Sequence, residues 1–321
     1  MQTAQRIKAT LVLKCIEIDR RKRLQDEPHT GHNRWHPDIP PVIEVEPGEE
    51  VVLETRDGSD GQVIPGMSAA ELAHLPKKVT HPLTGPIFVK GAQPGDLLEI
   101  EYLDIIPQPY GYTRIRPGAG FLRDLFSDYY LVHWEIDEQS ATSPQLPGVR
   151  IPNGSFMGTA GLAPSRDQLA AWTQREADLC QRGGVAAPPD PEDAVPVEEP
   201  IASEGLRTLP PRENGGNMDA KQLTKGSRLM IPVNVEGALF SVGDGHYAQG
   251  IRNAASPPSK WEQPQRCVFA SLKVKPCGRK SSGRGLSIRT ISRRPNGPLP
   301  GISSPRWECR CGRTVLRSAR M

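Results

Sequence analysis

The chain has 321 residues, of which 36% are hydrophobic, and a formal net charge of +3. No run of 18 apolar residues occurs, which excludes a membrane-spanning helix, and the early Arg6 and Lys8 argue against a secretory signal. We therefore expect a cytoplasmic protein, and its 33 prolines and 31 glycines favour short strands and turns over a helical bundle.

The charge is divided unevenly along the chain. Residues 251–321 hold 16 of the 40 Lys and Arg residues but only 2 of the 37 Asp and Glu residues, which leaves −11 on residues 1–250. The acidic body argues against nucleic acid as its partner, whereas the basic segment taken alone favours one.

Turn-and-strand units recur along the acidic body. Residues 42–46 alternate apolar and acidic side chains, and the Pro47-Gly48 turn joins them to residues 51–54 in a predicted first hairpin. Similar turns precede predicted strands at residues 97–102 and 229–233, where Pro232 indicates a sheet edge or a bulge. The pattern predicts a mainly β fold, a sandwich or barrel with a minor helical part.

The sequence predicts one helix with recognisable signals at both ends. Ser165 and Gln168 form a capping-box pattern, Leu169, Trp172, Glu176 and Leu179 follow at helical spacing, and Gly183-Gly184 ends the run. Residues 185–205 are acidic and rich in proline, so we predict a surface loop or a lid there.

Four clusters contain most of the reactive side chains. The first three, His32–His36, Asp57–Gly61 and His81–Pro86, also suit ordinary loops and turns. The fourth joins Glu213–Asp219 with Ser241–Gln249, where Asp244 and His246 alternate with glycine and so project from one face of an extended segment. An Asp-x-His pair beside other carboxylates suits a zinc or similar metal site, and a solvated glycine-rich hairpin is the alternative.

Several long strings resemble the acetamidase/formamidase family, whose members hydrolyse short aliphatic amides to a carboxylate and ammonia. They are HNRWHPDIP, HPLTGPIFVKGAQPGDLLEIE, PGVRIP and PPRENGGNMDAKQLTKGSRLMIPVNVEGALFSVGDGHYAQG, and the first is closer to the formamidase form. The resemblance covers residues 32–250 and implies a mainly β fold, a small amide substrate and a homo-oligomer. Residues 1–31 are then a lead-in strand.

The resemblance also implies a set of site residues. Asp57, Asp244 and His246 are expected to hold a divalent metal, for which zinc is the first candidate. Asp219 is the expected general base. Asn217 or the His81 loop is expected to orient the amide carbonyl, and Gln249 to line the same pocket.

The chain departs from the family pattern after Gly250. Family members continue with an acidic, glycine-rich stretch and a Cys-Gly strand, whereas here IRNAASPPSKWEQPQRC follows. This string can be encoded by a nucleotide sequence that, when the reading frame is moved back by one base, encodes DTECGVAAIEMGATATV instead. That second product is a family-like continuation. We therefore predict that residues 251–321 are an out-of-frame, disordered tail. The domain would then lack the core strands that the family continuation provides, and we expect the chain to be unstable or inactive.

Other functions of the tail are less well supported. Its cysteines, Cys267, Cys277, Cys309 and Cys311, lack the regular spacing of a metal knuckle. The alternative to an amidase is a non-catalytic β-scaffold or binding protein with a basic C-terminal arm.

Overall fold

The structure is a computed structural model that describes residues 13–119 and 123–249, together with the strand segments 261–262, 265–275 and 289–292. The strands in chain order are β1 (Lys14–Ile16), β2 (Gly31–His32), β3 (Arg34–Trp35), β4 (Ile43–Val45), β5 (Glu50–Leu53), β6 (Leu83–Val89), β7 (Leu97–Pro107), β8 (Tyr110–Ile115), β9 (Tyr130–Ile136), β10 (Ser140–Thr142), β11 (Arg150–Pro152), β12 (Phe156–Leu162), β13 (Leu206–Arg207), β14 (Pro211–Arg212), β15 (Gly215–Asn217), β16 (Ser227–Pro232), β17 (Phe240–His246), β18 (Trp261–Glu262), β19 (Gln265–Lys275) and β20 (Arg289–Ser292). The helices are α1 (Arg166–Gln181) and α2 (Ile201–Glu204), with 3-10 turns at Leu24–Asp26, Pro28–Thr30 and Ala69–His74. The predicted mainly β fold is therefore confirmed.

Two large sheets and one small one organise these strands. The first has six strands in the order β1-β5-β19-β7-β16-β20. The second has twelve, with β11-β10-β9-β8-β18-β17-β12-β15-β14 along one path and β6 branching from β17 to β2 and β4. A separate pair joins β13 to β3.

One apolar core lies between the two large sheets. Leu53 and Ile100 of the six-stranded sheet and Ile87, Ala160 and Phe240 of the twelve-stranded sheet belong to the same buried cluster. These side chains lie at the core-facing positions of strands from both sheets, as in a β-sandwich.

The strands around Pro47-Gly48 form where predicted, but they are not a hairpin. β4 pairs in parallel with β6, whereas β5 pairs with β1 and β19 in the other large sheet. The turn at Gly48, where φ is 87°, therefore passes the chain from one sheet to the other. Sequence alternation sets which face of a strand is buried but not which strand it pairs with.

Helix α1 has the predicted boundaries and cap. The Ser165 side chain accepts a hydrogen bond from the Gln168 backbone N–H, and the Ser165 backbone N–H donates one to Gln168 Oε1. Leu169 and Trp172 are buried, and the helix ends at Gln181, followed by the C-cap Arg182 and by Gly183 in the left-handed region.

The prediction of a disordered tail from Ile251 onwards does not hold for β18, β19 and β20. β19 lies between β5 and β7, with Leu272 opposite Ile100, and Ala270 and Leu272 are fully buried. Its apolar and polar residues alternate with the period of a strand, which allows it to complete the sheet whatever its origin. The remainder of residues 251–321 lies outside the described residues.

The predicted lead-in strand is present as β1, which pairs in parallel with β5. None of the helices among the described residues is both long and apolar enough to cross a membrane.

Candidate metal and catalytic site

Three neighbouring strands of the twelve-stranded sheet carry the central residues of the site. β12 lies between β17, which carries Asp244 and His246, and β15, which leads to Asp219. The register places Thr159 of β12 opposite both Gly243 and Asn217. Residues about 25 positions apart in the chain therefore meet across a single strand.

Asp219, Asp244 and His246, hereafter the triad, converge at this point. Their ligand atoms all lie within 4.8 Å of one another. His246 Nε2 is 3.3 Å from Asp244 Oδ2 and 3.4 Å from Asp219 Oδ1. Asp244 and His246 are buried, whereas the Asp219 side chain is 23% exposed.

Packing fixes the imidazole of His246. Its ring stacks on Phe156 with centroids 4.8 Å apart and an angle of 11° between the planes. A Cβ atom at Gly158 would lie 2.5 Å from His246 Nε2, so only glycine fits at this position of β12. The ring is thereby held with Nε2 toward the two carboxylates.

The backbone also fixes both carboxylates. Asp219 and Asp244 have φ of 47° and 52°, in the left-handed region that few non-glycine residues occupy. The Asp219 N–H donates to the Gly158 carbonyl at 3.0 Å. Such strained positions cluster at functional sites because they aim side chains that a regular strand would turn away.

The predicted residue His81 and the loop that follows β5 approach Asp244 from other elements. His81 precedes β6, and its Nε2 lies 3.6 Å from Asp244 Oδ2. Gly58 approaches from the loop after β5, where a Cβ atom would lie 2.6 Å from Asp244 Oδ1 and 2.9 Å from His81 Cδ2. The structure thus brings the Asp57 loop, His81 and the triad into one neighbourhood.

Asp57 does not belong to the group of potential metal ligands, in contrast to the prediction. Its Oδ1 accepts hydrogen bonds from the Ser59 N–H and the Tyr112 hydroxyl, both at 2.8 Å, and its Oδ2 accepts one from the Gly61 N–H at 2.7 Å. The carboxylate holds its own loop in shape, as aspartate often does in turns. Asp219, predicted as the base, takes its place beside Asp244 and His246.

Asp60 points away from the triad. Its carboxylate accepts from the Leu24 N–H at 2.9 and 3.1 Å and lies 3.7 Å from Arg56 Nε. Burial raises the pKa of Asp60 to about 7, against the opposing effects of the Leu24 N–H and of Arg56.

Asn217 lies next to the triad, and Gln249 faces a different cavity. Asn217 Oδ1 accepts from Thr159 Oγ1 at 3.2 Å, and its Nδ2 donates to the Leu209 carbonyl at 2.8 Å. Gln249 lines an open cavity with Lys221 and Thr224, and none of the triad residues lines it.

The motif His32–His36 holds the proline-rich loop instead of a metal. The Asn33 amide exchanges hydrogen bonds with the backbone of Asp193 and Val195, and Arg34 Nη2 donates to the carbonyls of Asp190 and Glu192. His32 is buried, with Nε2 at 2.7 Å from Ser241 Oγ, and burial lowers its pKa to about 4.

Sequence reasoning missed the residues of β12 that shape the site. Phe156, Gly158 and Thr159 have few features of reactive residues, although an entirely buried strand containing two glycines indicates close approach of another chain segment. Tyr112, which binds Asp57, likewise lies 55 residues away in sequence.

The donor set of the triad suits a divalent cation. One imidazole nitrogen and two carboxylate oxygens are ligands that such ions use in proteins. Buried carboxylates are costly unless positive charge compensates them, and Asp244 is fully buried. The residues present therefore fit a metal ion.

A family model matches most of the chain. The model of the acetamidase/formamidase family matches residues 17–253. An acetamidase from Mycolicibacterium smegmatis is 41% identical over 264 residues, which cover 73% of this chain and 64% of the relative. A formamidase from Methylophilus methylotrophus is 36% identical over 252 residues, covering 73% and 62%. The chain thus spans slightly less than two thirds of the length of these relatives.

Solved structures show the same fold. A gamma lactamase from Delftia acidovorans superimposes with a TM-score of 0.77 at 35% identity, over 81% of this chain and 68% of the other. An acetamidase from Bacillus halodurans has a TM-score of 0.60 at 25% identity, over 77% and 69%.

Proposed function

Because the chain belongs to the acetamidase/formamidase family, we propose that it hydrolyses the carbon–nitrogen bond of a short aliphatic amide such as formamide or acetamide. The observation that carries this proposal is the convergence of Asp219, Asp244 and His246 within 4.8 Å. The names of the relatives, acetamidase and formamidase, support the same substrate class.

The triad would hold a divalent cation, for which zinc is the first candidate because its catalytic sites use three protein ligands. When bound, such an ion polarises a carbonyl and lowers the pKa of water at the site. His246 contributes a nitrogen whose direction is fixed by stacking on Phe156. Asp244 contributes an oxygen from a buried position.

Asp219 offers one carboxylate oxygen to the ion, and its other oxygen would receive the proton of the attacking water. Its side chain alone among the three is partly exposed, so it can face both the site and an incoming substrate. Water adds to the amide carbonyl, the nitrogen takes up a proton, and the carbon–nitrogen bond breaks to give a carboxylate and ammonia. Asn217 and His81 lie beside this point and would orient the carbonyl.

The test is ammonia release by the full chain from formamide and acetamide, with metal content measured by mass spectrometry. We expect His246→Ala to lower kcat/KM by about 100-fold or more and to reduce the bound metal. Gly58→Ala should also lower the rate, because its methyl group would press on Asp244 and His81. The matched control is His74→Ala, since His74 is exposed in a 3-10 turn.

Unchanged turnover and metal content in His246→Ala would reject the proposed site. A folded protein without turnover that binds nucleic acid in a salt-dependent manner would favour the second candidate, a non-catalytic β-scaffold or binding protein with a basic C-terminal arm.

A cytoplasmic location and a homo-oligomeric state complete the proposal. Both follow from the sequence interpretation and from the resemblance to the family. Gel filtration with light scattering measures the second directly.

A further inference from the structure

Thr208 holds the backbone of His81, although the two residues are 127 positions apart in the chain. The Thr208 hydroxyl accepts a hydrogen bond from the His81 N–H at 2.7 Å and donates one to the His81 carbonyl at 2.8 Å. Thr208 is fully buried and His81 is 2% exposed, so both bonds lie in a medium of low dielectric constant, where they are strong. One hydroxyl therefore fixes both polar groups of the His81 backbone.

The residue after Thr208 holds a second side chain of the site. The Leu209 carbonyl accepts a hydrogen bond from Asn217 Nδ2 at 2.8 Å. His81 and Asn217 are the two residues that would orient the amide carbonyl under the proposed function. The segment 208–209 therefore bonds to both of them, although it contributes no side chain to the triad.

The imidazole of His81 has little room in which to move. Its Nε2 lies 3.6 Å from Asp244 Oδ2, and a Cβ atom at Gly58 would lie 2.9 Å from its Cδ2. In such a closely packed place, a displacement of the His81 backbone would change the position of Nε2 relative to Asp244. The hydrogen bonds from Thr208 therefore bear on the geometry of the site itself.

The position of Thr208 depends in turn on the motif His32–His36. Thr208 follows directly after β13, which pairs with β3 of this motif. Leu206 of β13 and Trp35 of β3 are both buried and belong to one apolar cluster. A side chain that positions another group has to be held by such packing and pairing. The motif that holds the proline-rich loop thereby also holds the segment 208–209.

We propose that Thr208 is a positioning residue for His81, whose backbone it fixes so that the imidazole can orient the substrate carbonyl. The role of His81 in this proposal rests on the proposed function, whereas the two hydrogen bonds and the burial of Thr208 do not. Thr208 acts through His81 and not on the substrate. The His32–His36 motif then contributes to the site at a distance, through β3 and β13.

The experiment measures ammonia release from formamide by variants of the full chain. Thr208→Val removes the hydroxyl, and we expect kcat to fall about tenfold or more with KM within about twofold, because a misplaced orienting group acts mainly on the transition state. Thr208→Ser retains the hydroxyl and should keep at least about half of the parental kcat. The matched control is Thr113→Val, which removes a hydroxyl that accepts from Trp134 Nε1 at 3.0 Å and should leave kcat unchanged.

A double-mutant cycle separates positioning from a general loss of structure. Because Thr208 acts through His81, Thr208→Val should change kcat by less than about twofold once His81→Gln has been introduced. The same tenfold loss in both backgrounds would overturn the proposal, as would equal kcat values for Thr208→Val and Thr113→Val. Circular dichroism verifies folding, and if Thr208→Val does not fold, Thr208→Ala takes its place with the same expected results.

A nuclear magnetic resonance measurement is independent of turnover. Labelling of the histidine rings with nitrogen-15 gives signals from the seven histidines, and His81→Gln identifies those of His81. We expect Thr208→Val to shift the His81 signals, and Thr208→Ser and Thr113→Val to leave them in place. Unshifted His81 signals in Thr208→Val, with ammonia release by the parent chain, would refute the positioning role alone. Shifted signals with no ammonia release by the parent chain would refute the hydrolytic function and leave the hold of Thr208 on His81 standing.

Discussion

At the scale of single residues, tertiary neighbours decide what each polar side chain does. His32 and His246 are both buried histidines that bond to a polar group. His246 meets two carboxylates, whereas His32 meets the hydroxyl of Ser241 and the edge of Trp35. The surroundings of His246 suit a metal ion, whereas His32 is a neutral imidazole with a structural role.

The buried state of His32 predicts acid sensitivity. Its pKa is about 4 in the folded protein, below the ordinary value of about 6.5 that applies in the unfolded chain. The unfolded chain therefore binds more protons below pH 6.5, and stability falls as the pH decreases from there toward 4. We expect His32→Gln to remove about 2.5 kcal/mol of the stability lost between pH 7.5 and pH 4.5.

Urea unfolding at the two pH values measures this loss. The exposed His29 supplies the control variant His29→Gln, which should keep the full pH dependence of the parent chain. If His32→Gln loses as much stability on acidification as His29→Gln does, His32 is not buried in its neutral form.

At the scale of elements, strand β19 is an interior strand of the six-stranded sheet. It pairs with β5 on one side and β7 on the other. Lys273 and Lys275 on its polar face form ion pairs with Glu101 and with the buried Glu99. The apolar face contributes to the common core, so this segment of the basic region is structural.

Shortening Leu272 tests this contribution. Leu272 is fully buried between the sheets, and Leu272→Ala should lower the free energy of unfolding by about 2–5 kcal/mol. Leu125→Ala changes a leucine that is 75% exposed and should have an effect within about 0.5 kcal/mol. Equal stability of the two variants in chemical denaturation would mean that β19 does not belong to the sheet.

At the scale of the whole molecule, composition and family likeness change at the same place. The family match ends at residue 253, close to the Gly250-Ile251 step where the balance of charge reverses. The segment that replaces the family continuation follows directly after Gly250, four residues beyond His246. The sequence analysis predicts a change of reading frame at this position, which would account for both observations.

Restoring the predicted frame after Gly250 is the corresponding test. We expect the restored chain to release ammonia from formamide at least about tenfold faster, because an acidic residue and regular strands would again follow the triad. Sequencing the gene across the codons for Gly250 and Ile251 is the direct control. Equal rates would indicate that the family-like part of the chain, together with β19, is sufficient.

The amino-acid sequence by itself determined the mainly β fold, helix α1 with its Ser165 cap, and the family. These properties depend on local alternation, capping patterns and long matching strings, which are visible along the chain. It also predicted Asp244, His246, Asp219 and His81 as members of one site, and these side chains lie close together in the structure.

Tertiary structure alone decided how these residues combine. Asp219 joined Asp244 and His246 because β12 brings β15 and β17 together, while the carboxylate of Asp57 was drawn into its own loop by Tyr112. The partners of a strand depend on contacts that are distant in sequence. The sequence therefore could not predict which strands pair with β4 and with β5, or where β19 lies in the sheet. Gly158 gained its importance in the same way, from the atoms that surround it.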